Sequence, residues 1–188
     1  MCRGIMILGS PGAGKTTLGK VIAKQLDMTM IDIDAYIWNF ETEIPYTVMY
    51  SKEEKIARLK KAVASANEFV MAGSMNSFHE QFDHLFIMAV YLTADTNIRV
   101  ERVHQRELEE FGNRILPGGD MYESHQSFLA DVMNYDSETC ACNYQQHELW
   151  LSQLRCPILR LDGGNDLETN AAAMIALFHK CQESADKD

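Results

Sequence analysis

Apolar and polar residues fall in alternating blocks along this chain. Ile5 to Leu8 is an unbroken apolar run ending at Gly9, as a strand buried on both faces of a parallel sheet reads. Gly14 to Leu26 follows with Leu18, Val21, Ile22 and Leu26 at helical spacing. Met28 to Ile33 predicts a second strand. Ser51-Lys52-Glu53-Glu54 fits a capping box, in which the Ser hydroxyl and the Glu carboxylate each take a free backbone N–H. The helix it opens turns Ile56, Leu59, Val63 and Ala66 to one side. Phe69 to Ala72 and Leu85 to Leu92 predict the third and fourth strands. Asp95 is placed to cap a helix reaching about Phe111, where Gly112 stops it. Two helices are expected near 121–134 and 143–154, a fifth strand at Pro157 to Leu161, and a last helix from Leu167 to Cys181. Short strands alternating with helices predict an α/β fold, a parallel sheet covered on both faces and wound by right-handed crossovers.

Composition changes this picture little. The 188 residues are 46% hydrophobic and 23% charged, which suits one soluble globular domain able to bury a sizeable core. Charge is more informative: 17 Lys and Arg against 27 Asp and Glu leave −10, against the basic stripe that nucleic-acid tracking needs. A single small polyanion in one pocket is compatible with that sum, because local donors decide it. No apolar run is long enough to span a bilayer, and the N-terminus lacks the apolar stretch of a signal peptide. The five cysteines, Cys2, Cys140, Cys142, Cys156 and Cys181, are an odd number, which argues for reduced thiols and a cytoplasmic setting. Cys140-x-Cys142 with His147 and Cys156 departs from the usual zinc spacing, so ordinary thiols are the simpler reading.

The chemistry concentrates in Gly9-Ser10-Pro11-Gly12-Ala13-Gly14-Lys15-Thr16-Thr17, a full match to G-x-x-x-x-G-K-[ST] between a strand and a helix. Its glycines let backbone N–H groups converge on phosphate oxygens without an intervening Cβ. The helix opening at Gly14 aims its free N–H groups and positive dipole end at the anion. Lys15 is placed to reach the β- and γ-phosphates, and Thr16 to ligate Mg²⁺. A nucleoside triphosphate, ATP in the first instance, is the expected ligand.

A P-loop this early in a chain this short resembles the small-molecule kinases: adenylate kinase and its relatives, shikimate kinase and gluconate kinase. The resemblance spans roughly 3–114 and 155–182. It implies a P-loop NTPase three-layer sandwich, a five-stranded sheet in order 2-3-1-4-5, and one domain over 1–188 with a helical lid or cap at about 112–154. Asp32-Ile33-Asp34 resembles the D-x-D of shikimate kinase. By that likeness Asp32 joins Thr16 at the metal, and Asp34 orients or deprotonates the acceptor hydroxyl. Two solvated loop aspartates are the plain alternative. Where adenylate-kinase-like proteins often carry Asp-Gly after the third strand, this chain reads Ala72-Gly73, a departure from the nucleotide kinases. Ser74, Asn76 and His79 are then candidates for the acceptor pocket.

Arg99, Arg102 and Arg106 share one helical face, and Arg114 lies just beyond Gly112. In the resembled kinases arginines here clamp the transferring phosphoryl group, so Arg106 and Arg114 join Lys15 and Asp34 as candidate catalytic residues. A salt-bridged exposed helix accounts for the arginines equally well. Asp162-Gly163-Gly164-Asn165-Asp166 matches the family's adenine loop, or serves as a plain turn with Asp166 as N-cap. The stretch 115–154 departs furthest: it holds six acidic residues and no Lys or Arg, with Tyr122, Phe128, Tyr135, Tyr144 and Trp150 among them. It either shapes the acceptor side of the cleft or forms an extra helical cap. The expectation is a cytoplasmic ATP- and Mg²⁺-dependent kinase, monomeric or homodimeric, acting on a small molecule, with neither nucleic acid nor membrane as partner. A regulatory ATP-binding switch with slow hydrolysis is the alternative.

Overall fold

The computed structural model describes residues 3–138, 140 and 142–185, with side chains through residue 183; Cys2 lies outside the described residues. Its five strands are β1 (Arg3–Gly9), β2 (Thr29–Asp32), β3 (Glu68–Ala72), β4 (Phe86–Thr93) and β5 (Ile158–Asp162). They form one sheet in the order β2-β3-β1-β4-β5, every neighbouring pair parallel. This is the order that the resemblance implies. β1 sits in the middle, which explains its unbroken apolar run: Ile5 to Leu8 have no exposure at all.

Alternate residues of the strands feed two cores. Ile5, Ile7, Val70, Met88 and Val90 pack against helices α1 (Lys15–Gln25) and α7 (Leu167–Ala185). Met6, Leu8, Phe69, Met71 and Ala89 point the other way, onto α3 (Lys52–Ala64) and α6 (Tyr144–Gln153). The result is a helix–sheet–helix sandwich. The capping box at Ser51 forms as expected, with Glu54 N–H donating to Ser51 Oγ and Ser51 N–H to Glu54 Oε2. Asp95 likewise caps α4 (Thr96–Phe111) by accepting from Asn97 N–H. One α-helical element escaped the pattern, the single turn α2 (Asp34–Ile37) directly after β2.

Segment 115–154 contributes α5 (Tyr122–Met133) and α6, and it is built into the body of the protein. Trp150 is 1% exposed, stacks on His79 at 4.9 Å between ring centres, and donates its indole N–H to Asp83. Leu151 joins it in the core. α5 packs along α4, where Arg99 holds its C-terminal turn through the Val132 carbonyl at 2.8 Å. The aromatics at 135 and 150 are therefore core residues. Tyr144 is surface, and Tyr122 and Phe128 are half-buried.

Candidate active site

The P-loop turns sharply from β1 into α1. Gly9, Gly12 and Gly14 all have positive φ, at 137°, 79° and 98°. A Cβ on Gly9 would meet the Leu92 carbonyl oxygen at 1.9 Å, and one on Gly12 the Arg99 carbonyl oxygen at 2.6 Å. Both positions therefore demand glycine for conformation and for space. Gly14 caps α1, yet no side chain accepts from the helix's first N–H groups, and its first turn holds no acid. A helix N-terminus left open in this way fits an anion. Ser10 Oγ is buried in the same loop without a hydrogen-bond partner. Lys15 folds back, its Nζ donating to the Ser10 carbonyl at 2.8 Å. Enclosure by the cleft lowers its pKa, while Cys142, Asp34 and Asp32 pull it up and Arg106 adds to the lowering. An open helix end, an orphaned hydroxyl and a confined cation together suit a polyphosphate.

Thr16 and Asp32 meet across the mouth of this loop. The Thr16 hydroxyl donates to Asp32 Oδ2 at 3.2 Å, and Asp34 N–H donates to Asp32 Oδ1 at 3.3 Å. Their hard oxygens suit Mg²⁺, which takes few protein ligands and keeps its other sites for water and phosphate. Among the described residues no group of three or more His, Cys, Asp or Glu converges on a metal position, so the zinc option does not form. The described cysteines are free thiols. Asp34 opens α2, exposed to solvent yet crowded by protein. That crowding raises its carboxyl pKa, Asp32 raises it further, and Lys15 and Arg106 oppose the shift. A carboxylate made more basic by its surroundings is suited to accept a proton.

The four arginines divide. Arg106 is exposed and within electrostatic reach of Lys15 and Asp34. Arg102 donates to the Gly163 carbonyl at 2.9 Å, beside Gly14. Gly163 itself packs on the P-loop, for a Cβ there would lie 2.2 Å from the Ala13 carbonyl oxygen. Arg99 is interior, 2% exposed, and serves the fold. Arg114 is bound to both carboxylate oxygens of Asp120 and donates to the Glu43 carbonyl at 3.2 Å, which ties the start of segment 115–154 to the 38–50 loop. Asp166 caps α7 through Thr169. Of the acceptor candidates, His79 is turned inward onto Trp150 and Asp83, away from the cleft.

Ser74 and Asn76 belong to a hydrogen-bonded chain that sequence reasoning missed. His147 is fully buried, and burial, with Lys15 adding to it, holds its pKa down to about 3, so the ring is neutral. Ser74 Oγ donates to Asn76 Oδ1 at 2.9 Å, leaving its oxygen to accept from His147 Nε2–H at 3.2 Å. His147 Nδ1 then accepts from the Tyr135 hydroxyl at 2.7 Å, which in turn accepts from Tyr91 at 2.9 Å. Asn76 finishes the chain by donating to Gln146 at 2.7 Å. The chain sews segment 115–154 to the ends of β3 and β4. It also brings Cys142 within electrostatic reach of Lys15, with its sulfur 3.6 Å from His147. The one available signal was His147 lying one turn before Trp150 and Leu151 on the inward face of a helix.

The family described as "AAA domain" matches residues 5–115, more than half of the chain. The chain belongs to this P-loop family. Its similarity extends along nearly the whole length of a Bacillus subtilis (strain 168) relative, "Uncharacterized protein YqaC". The two are 30% identical over 167 residues, 86% of this chain and 89% of that one. A shikimate kinase of Staphylococcus aureus (strain JH9) is 21% identical over 168 residues, 86% and 95% of the two chains. Among solved structures, a gluconokinase from Sinorhizobium meliloti 1021 superposes with a TM-score of 0.57 at 16% identity, covering 99% of this chain and 97% of its own. That likeness shows the shared sandwich fold. Among the described residues no helix is long and apolar enough to cross a membrane.

Proposed function

We propose that this protein is an ATP- and Mg²⁺-dependent phosphotransferase that passes the γ-phosphoryl group to a small-molecule acceptor. The observation that carries the reading is the convergence of Lys15, the Thr16–Asp32 pair and Asp34 at the open N-terminus of α1. The kinase names of the shikimate kinase relative and the gluconokinase neighbour support it. Residues 9–17 hold the phosphates through backbone N–H groups, with Lys15 offsetting their charge. Thr16 and Asp32 would hold Mg²⁺, which when bound would neutralise phosphate charge. Asp34 aligns the acceptor and takes its proton as the bond to phosphorus forms. Arg106 faces the charge that develops in transfer. Arg114 acts from the rim, through its hold on the 38–50 loop and the cap.

Two measurements test this. A panel of candidate acceptors should contain one class that raises ATP consumption well above basal hydrolysis, yielding ADP and a phosphorylated acceptor. A flat response, with a protein partner recruited only in the ATP state, would favour the switch. Asp32→Asn should raise the Mg²⁺ concentration for half-maximal turnover by about 10- to 100-fold, the usual cost of losing one metal-holding group. An unchanged Mg²⁺ titration would remove Asp32 from the metal.

A further inference from the structure

The acceptor side carries an unusual wall. Between α2 and α3 the chain forms a hairpin, closed by a Trp38–Met49 bridge and by Asn39 N–H to Val48 O and Tyr50 N–H to Ile37 O. Tyr46 stands at its centre with φ of 59°, a left-handed conformation that a tyrosine rarely adopts. Three rings surround it edge-on, with centres at 5.0 Å for Phe40, 5.9 Å for Trp38 and 6.5 Å for Phe111 of α4. Such a cluster would ordinarily be buried, yet Tyr46 is 39% exposed and Phe40 45%. The hairpin leaves α2 directly, with Trp38 N–H donating to the Asp34 carbonyl at 3.3 Å, and burial raises the Tyr46 pKa to about 12, with contributions from Glu110, Asp34 and Asp32 and opposition from Arg106. A strained aromatic, held by other aromatics and partly exposed on the hairpin that follows Asp34 and α2, is built to contact a ligand.

The charges around it restrict that ligand. Neither 33–51 nor 115–154 contains a single Lys or Arg. Among nearby cations, Lys15 and Arg106 belong to the phosphoryl site, and Arg114 is bound to Asp120. Arg58 lies on the Tyr50 ring at 4.1 Å, and Lys55, at the hairpin's edge, donates to Met49 Sδ at 3.1 Å. Asp32, Asp34, Glu110 and the acidic cap supply opposite charge. An acceptor bearing carboxylate or phosphate would meet repulsion from these carboxylates, with only Lys55 at the hairpin's edge to set against it.

Resting on the kinase reading above, we propose that the Tyr46 hairpin is the acceptor's ring-binding wall. The acceptor is an uncharged alcohol carrying a flat apolar or heteroaromatic ring, with its hydroxyl delivered to Asp34. The chemistry balances simply: the hydroxyl oxygen bonds to the γ-phosphorus, the bond from that phosphorus to the bridging oxygen of ADP breaks, and the hydroxyl proton passes to Asp34.

The test offers the full chain Mg-ATP with three probe sets: nucleosides and aryl alcohols; gluconate and shikimate; and nucleoside monophosphates. Ring-bearing neutral alcohols should give the largest kcat/KM. With the best of them, Tyr46→Ala should raise the acceptor KM about tenfold or more, the scale of one lost stacking contact, and Tyr46→Phe should restore it. Because Tyr46→Ala could disturb the hairpin, Phe40→Ala offers a second route and should raise the same KM. Preference for an anionic set, or an acceptor KM unmoved in both alanine variants, overturns the proposal and leaves the kinase reading standing. No phosphorylated product from any set, with ATP still bound, overturns both.

Discussion

Lys15→Met should reduce phosphoryl transfer by about 10²- to 10³-fold, the loss expected when one pre-positioned donor to the transferring group is removed. The nucleotide-free protein should lose no stability and should gain some. In the folded state Lys15 is enclosed, and its pKa is lowered from 10.5 chiefly by desolvation. Its one hydrogen bond goes to a backbone carbonyl, that of Ser10. The folded state therefore holds this proton less tightly than the unfolded chain does. By linkage, stability from this group is fully present above pH 10.5 and is lost as pH falls through the lowered folded value. The wild-type protein should accordingly become more stable over that window as pH rises, and the methionine variant should lack that component. A bound polyphosphate supplies the counter-charge, so Mg-ATP should raise the melting temperature of the wild type more than that of the variant. Thermal melts with and without Mg-ATP across pH, beside a coupled ADP assay, read both halves. A variant that melts lower and turns over at the wild-type rate would show that the lysine serves the fold.

Much of this arrangement was legible in the sequence because its causes are local. Strands buried on both faces read as apolar runs, and the P-loop's demands fall on consecutive residues. The capping box at Ser51 and the cap at Asp95 are decided within four residues. The turn α2 was not legible: its N-cap is Ile33, no side chain caps it, and four residues show no period. Distant partners were equally hidden. Arg99, Arg102 and Arg106 share a face at i, i+3 and i+7. Only packing by α5 decides that the first is interior while the last stays exposed. His147 resembled a thin metal motif, and nothing near it announced Tyr135, Tyr91 or Ser74 as its partners. The aromatics at 38, 40, 46 and 50 were visible as letters, but the left-handed turn that presents Tyr46 was not.

Arg99→Ala should be among the most destabilising single changes in the chain, by about 3–4 kcal/mol, because the guanidinium satisfies buried groups that nothing else can reach. Nε donates to the Ala94 carbonyl at 2.9 Å, one terminal nitrogen to the Val132 carbonyl at 2.8 Å, and the other to Thr96 Oγ1 at 2.8 Å. Its charge centre lies 5.3 Å from the centre of the Tyr135 ring. Truncation leaves two carbonyls without a donor and opens a cavity between α4 and the end of α5. Desolvation lowers the pKa of this arginine, with Asp136 and Tyr135 opposing, so the cation is retained at a cost that its bonds must offset. Arg99→Lys should recover only part of the loss, since one ammonium cannot reproduce a three-way planar fork. At roughly 2–4 °C per kcal/mol for a chain of this size, the alanine variant should melt about 10 °C lower. Arg106→Ala, about two turns further along α4, should hold its melting temperature within about 2 °C and lose turnover instead. If both variants melted alike, the division between an interior and a cleft arginine would fail. The two melts, with a turnover assay on the Arg106 variant, therefore measure directly how one helical face serves both the fold and the site.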